Sequence, residues 1–169
     1  MIQAKTRRKA NRQGQTGTQA AAARTQRDPA RVLLAWGALL AGAGVALGAF
    51  GAHGLRGRLD PEMLMIFETG VRYQLWHALA LLVVGVLRLN PNLAPSPTAS
   101  SESSRRLRAR VLARVGWLFV LGIVLFSGSL YALSLTGVRT FGAITPFGGV
   151  AFLAGWTLLA WEALRGRSR

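Results

Sequence analysis

Five side chains able to carry charge, protons or a ligand gather around one short region of this 169-residue chain. Glu68, Arg72, Tyr73 and His77 fall within the first half of FETGVRYQLWHALALLVVGVLRL (Phe67–Leu89), and His53 closes the apolar run before it. An acid four residues ahead of an arginine is the favourable order for a helical ion pair, and such a pair lets both charges be partly buried. The two histidines are the only ones in the chain and are the candidates for haem or metal ligation. Ionisable residues next to a membrane span also suit proton movement. With Glu68 as origin at about 100° per residue, Arg72, Trp76, Thr69, Tyr73 and His77 spread from about 40° to about 180°. Val71, Leu75, Ala78 and Leu82 fill the opposite stripe, and Gln74 lies off the polar half near about 240°. The expected arrangement is a polar half facing other helices or a wet crevice, an apolar stripe facing lipid, and a Glu68–Arg72 ion pair near the outer surface. Because Glu68 and His77 fall on opposite sides of the helix, one metal site using both would need the helix broken. No metal and no cofactor are expected. Ser127, Ser129 and Tyr131 of FSGSLY can supply interhelical hydrogen bonds, but no local motif gives Ser127 the paired base a nucleophile needs. The chain is therefore expected not to be an enzyme.

The elements that must position these residues are membrane spans. The chain is 51% hydrophobic and only 16% charged, against about 25% charged for a soluble domain. Cysteine is absent, which excludes disulfides, thiolate metal sites and a cysteine nucleophile. Val32–Ala52 runs without a charge and, as a helix of about 31 Å, can cross a hydrocarbon core of about 30 Å. Gly44, Gly48 and Ala52 recur every fourth position and make a smooth ridge for helix packing. Asp60-Pro61-Glu62 and Thr145-Pro146 are helix starts, each a capping residue followed by proline. Four helices are predicted near 32–53, 61–89, 111–135 and 146–164, with a polar cytoplasmic loop over 90–110. Residues 1–30 are basic and lack apolar patterning, so a disordered cytoplasmic tail precedes a membrane domain over 31–165.

The net charge of +15 reflects 21 basic against 6 acidic residues. Seventeen of the basic residues fall in the tail, the second loop with its flanks and the C-terminus, and four in the two other connections. The positive-inside rule then sets both termini in the cytoplasm. The excess is assigned to topology and anionic lipid headgroups rather than to nucleic acid, because it flanks oily runs and no aromatic-laced nucleic-acid motif accompanies it.

LGAFGAHGL (Leu47–Leu55), FETGVRYQLWHALALL (Phe67–Leu82), FSGSLYALSLTG (Phe126–Gly137) and GAITPFGGVAFLAGW (Gly142–Trp156) resemble, in that order, a family of small membrane proteins. It is domain-of-unknown-function family 423, whose animal relative is transmembrane protein 256. The resemblance covers about Val32 to Leu164 and implies a four-helix protein of the bacterial inner membrane. It implies no activity and transfers no catalytic residue. The long basic tail and the Ser/Pro-rich second loop depart from simpler family members. The expected fold is all-α, an integral membrane four-helix bundle, N-in and C-in. The expected role is a non-enzymatic bundle that self-associates or packs with another membrane protein. The alternative is a small proton-coupled transporter, or a binder of a small molecule, that uses the cluster His53, Glu68, Arg72, Tyr73 and His77.

Overall fold

The computed structural model describes residues 29–90 and 102–165. The expected tail lies almost entirely outside these residues, as does much of the second loop. Four helices long and apolar enough to cross a membrane make up the described chain. Helix α1 runs over Pro29–Leu55 and ends in a π-helical turn, Phe50–Leu55. Helix α2 is Pro61–Leu89, α3 is Glu102–Thr136, and α4 is Thr145–Arg165 after a 3₁₀ turn at Arg139–Ala143. At the start of α2 the Asp60 side chain accepts from Met63 N–H at 3.0 Å and Pro61 takes a first-turn position, where its missing N–H costs nothing. Gly137, at φ 72°, ends α3 in the left-handed region and donates its N–H to Leu133.

Helix α3 corrects the expected loop over 90–110, because it begins at Glu102 rather than near 111. Glu102 holds Arg105 at 3.1 Å and Arg106 at 3.0 Å, three and four residues on, and no glycine or proline interrupts the stretch that follows. Local ion pairing in the favourable order thus extends the helix beyond its apolar part. Hydrophobicity alone marks the span and not the full helix.

Packing is organised around α2. On the α1 side, a Cβ added to Gly44 would come within 2.7 Å of Leu75, one on Gly37 within 2.8 Å of Leu82, and one on Gly51 within 3.2 Å of Phe67. The two helices run antiparallel with the leucines of one set into the glycines of the other. In lipid, where apolar surface gains little from mere contact, such close approach is what holds helices together. The larger core brings Leu33 of α1 together with Leu81 and Val84 of α2, Val111, Leu112, Val115, Phe119 and Ile123 of α3, and Phe152 of α4. Large apolar side chains such as Leu39, Val83, Val124, Phe147, Val150 and Leu153 are exposed around the outside, as a bilayer-facing surface requires. The protein is an integral membrane four-helix bundle.

Candidate functional site

The polar residues at the centre of the bundle come from α2, α3 and α4. Gln74 is 4% exposed and joins three helices. Its Nε2 donates to the Leu40 carbonyl of α1 at 2.8 Å, and its Oε1 accepts from the Tyr131 hydroxyl of α3 at 2.9 Å. One turn further along α2 is His77, 5% exposed. Its Nδ1 is 2.8 Å from the Tyr73 carbonyl, and its Nε2 is 3.1 Å from Trp156 Nε1 on α4. A carbonyl only accepts and an indole N–H only donates. Nδ1 therefore carries the proton and Nε2 offers its lone pair, which fixes a neutral ring in one tautomer. The imidazole stacks on Phe152 at a centroid distance of 3.4 Å and 10°, with Phe119 edge-on at 5.5 Å. Tyr73, in turn, packs on Phe126 at 4.6 Å.

A π-helical turn makes this geometry possible. Over Ile123–Ser127 the helix widens, and Gly128 N–H reaches the Ile123 carbonyl five residues back. An extra residue in a turn delays the helical phase by about 100°. That delay brings Tyr131 back toward the face of α3 that carries Phe119. At the same level α4 presents Gly148, where a Cβ would collide with the Phe126 backbone. Ser129 then links α3 to the start of α4 through Thr145 Oγ1 at 2.8 Å. Ser127 is fully buried, and its hydroxyl has no partner among the described residues.

The structure divides the five residues singled out from sequence. Tyr73 and His77 adjoin, with rings 6.1 Å apart. Glu68 and Arg72 are exposed, and no ion pair joins them. They share the outward stripe with Trp76, Leu79 and Val83. Near the end of a span both charges reach water and headgroups, so pairing gains them little. His53 is exposed on the terminal turn of α1. That turn adjoins Phe67, and His77 is about 15 Å further along α2, so the two histidines share no site.

The expected facing of α2 is also overturned. Val71 and Ala78 are buried and Leu75 and Leu82 half-buried against the glycines of α1, so this stripe faces protein and not lipid. The cause is the ridge of α1. Gly44 meets Leu75 and Gln74, and Gly48 meets Val71 at 3.4 Å, so the smooth face of α1 takes up the branched face of α2. Sequence reasoning set Gln74 aside as lying off the polar half. Its isolation in an apolar stripe was the available signal, since a lone amide in a span needs partners on other helices. Phe119, Phe126, Phe152 and Trp156 were not singled out, because aromatic residues in spans carry no pattern of their own.

The sequence model of the family described as "Protein of unknown function (DUF423)" matches residues 47–149, which include the π turns and most of the polar centre. The chain belongs to this family. The UPF0382 membrane protein YwdK of Bacillus subtilis is 42% identical over 135 residues, 80% of this chain and 98% of the relative. UPF0382 membrane protein SH2409 of Staphylococcus haemolyticus is 42% identical over 129 residues, 76% of this chain and 92% of the relative. UPF0382 membrane protein SERP0230 of Staphylococcus epidermidis is 44% identical over 135 residues, 80% and 97% respectively. These names state a membrane location and no enzymatic activity. No solved structure matches the chain.

Proposed function

We propose that this DUF423-family protein is a non-enzymatic helical bundle of the bacterial inner membrane that associates with a second copy of itself or with another membrane protein. The observation that carries the reading is the engagement of its two interior side chains with the most polar groups, Gln74 and His77. Both polar atoms of Gln74 and the Nε2 of His77 are held by neighbouring helices, His77 Nδ1 by the Tyr73 carbonyl one turn back, and the imidazole is closed in by Phe119 and Phe152. Groups so engaged orient helices, whereas a transport path or substrate site needs polar groups turned toward a wet space. Glu68, Arg72 and His53, which the transporter reading requires beside His77, stand apart from it.

Association through α1 is supported by its outward face. The Gly44 and Gly48 ridge is taken up by α2, but Ala38, Gly42 and Ala46 form a second small-residue ridge that is exposed, and a Cβ on Gly42 would meet nothing within 4 Å. The natural absence of cysteine allows a clean test. Gly42→Cys in native membranes is expected to give an oxidative crosslink between two copies of the chain, while Val83→Cys on α2 gives none. Equal crosslinking at both positions, or none at Gly42, refutes self-association through this face.

The orientation we infer has both termini in the cytoplasm. Among the described residues, Arg31, Arg88, Arg105, Arg106, Arg108, Arg110, Arg114 and Arg165 belong to one end of the bundle, and Arg56, Arg58, Arg72 and Arg139 to the other. A reporter fused after Arg169 is expected to read cytoplasmic, and an external reading reverses the assignment. The basic end and the tail would then meet the anionic lipid of the inner leaflet.

A further inference from the structure

At the basic end of the bundle one arginine differs from the rest. Arg105 and Arg106 share Glu102, and Arg165 stacks over Trp161 at 4.0 Å. Arg88 is half-buried, its Nη1 is shielded from solvent without a hydrogen-bond partner, and no carboxylate among the described residues lies within ion-pair distance. Its position follows from the helix. Arg88 is three residues after Gly85, four after Val84 and seven after Leu81, so it continues the face of α2 that enters the core. Gly85 lies against Leu34 of α1, and Leu81 meets Leu33 at Gly116 of α3. Followed toward the helix ends, the same antiparallel registers bring Arg88 level with Ala30 and Arg31 of α1 and with Arg108 to Leu112 of α3. A guanidinium thus ends a buried face where three helices meet, at the basic end of the bundle.

An unpaired charge so placed is costly, and neither carboxylate among the described residues at this end of the bundle answers it: Glu102 is held by two other arginines, and Glu162 of α4 lies outside ion-pair distance. A guanidinium presents a planar fork suited to two phosphate oxygens, and basic crevices between spans are the usual seats of anionic headgroups. We propose that Arg88 binds the phosphate of an anionic membrane lipid in the crevice between α1, α2 and α3. Arg31 on α1 adds a second positive charge at the rim. The site rests on the membrane bundle itself and is independent of whether the protein associates with a partner.

The full chain, purified in neutral detergent, is titrated with phosphatidylglycerol, phosphatidylcholine or glycerol 3-phosphate and followed by native mass spectrometry and thermal melting. Retention of phosphatidylglycerol with a rise in Tm is expected, with little response to the other two. Arg88→Gln is expected to weaken lipid retention about fivefold, the effect of one lost basic contact, while Arg114→Gln on an exposed face of α3 leaves it near the wild-type value. If Arg88→Gln fails to fold, Arg88→Lys carries the test, since it keeps the charge and loses the fork; weakened retention is then expected. Retention equal to wild type in the Arg88 variant that folds, or in both, overturns the site. An equal response to phosphatidylcholine overturns the requirement for an anionic lipid. An equal response to glycerol 3-phosphate overturns the lipid and leaves a soluble phosphate ester as the ligand.

Discussion

Two faces of the same helix, α2, hold polar residues in opposite ways. On the inward face Gln74 and His77 have each polar atom committed to another helix or to the carbonyl one turn back, under aromatic cover. On the outward face Glu68 and Arg72, a turn nearer the start of the helix, are exposed and unpaired with each other. The inward residues are neutral and able to satisfy partners inside a low-dielectric bundle. The outward ones are charged and stay where water and headgroups reach them. In a membrane, charge therefore marks the surface level more than the functional centre, and the residue that binds a bundle together is the less conspicuous amide.

The largest effect that would break this contrast is expected at the glycines that admit the inward face. Gly44→Leu should drive a branched side chain into Leu75 and cost about 3 kcal/mol or prevent assembly, read as a loss of Tm in detergent. Little change would mean that α1 and α2 do not pack through this ridge. Gln74→Leu comes next, since it leaves the Tyr131 hydroxyl without its acceptor in the interior; a loss of about 1–2 kcal/mol is expected. Tyr131→Phe on the same background should then cost little more, because the partner has already gone. His77→Leu should behave similarly, at about 1–2 kcal/mol, by stranding the Trp156 indole N–H, and Trp156 fluorescence should shift with it. The smallest effects belong to the outward face. Glu68→Gln and Arg72→Gln should each change stability by less than about 0.5 kcal/mol, and their double variant should be additive. A coupled, costly pair would restore the ion pair that the structure lacks. Leu75→Ala against Leu79→Ala sharpens the comparison directly, with the greater loss expected at Leu75, which faces α1.

Much of the architecture was legible without coordinates. The Asp60-Pro61 start, the uncharged runs and the basic flanks locate four spans, because a bilayer imposes a minimum length and excludes charge whatever the neighbours do. The extra turns of α3 before its apolar part were hidden, since they rest on the pairing of Glu102 with Arg105 and Arg106 and not on hydrophobicity. Of the candidate cluster, only Tyr73 and His77 come together. A helical wheel gives the angular relation of Glu68 to His77, but not which arc turns inward.

By itself the sequence determined that this chain lives in a bilayer, how many times it can cross, and which ends of its helices carry positive charge. These follow from transfer of each segment between water and lipid, a property local to the segment. Only the tertiary structure decided that the branched stripe of α2 fills the glycine ridge of α1, that Gln74 ties three helices, that a widened turn in α3 brings Tyr131 to it, and that Arg88 ends a buried face. Those outcomes depend on close approach and on hydrogen bonds between residues as far apart as Gln74 and Tyr131 or His77 and Trp156. In lipid, apolar faces are nearly interchangeable until steric fit and the need to satisfy each buried polar group choose among them.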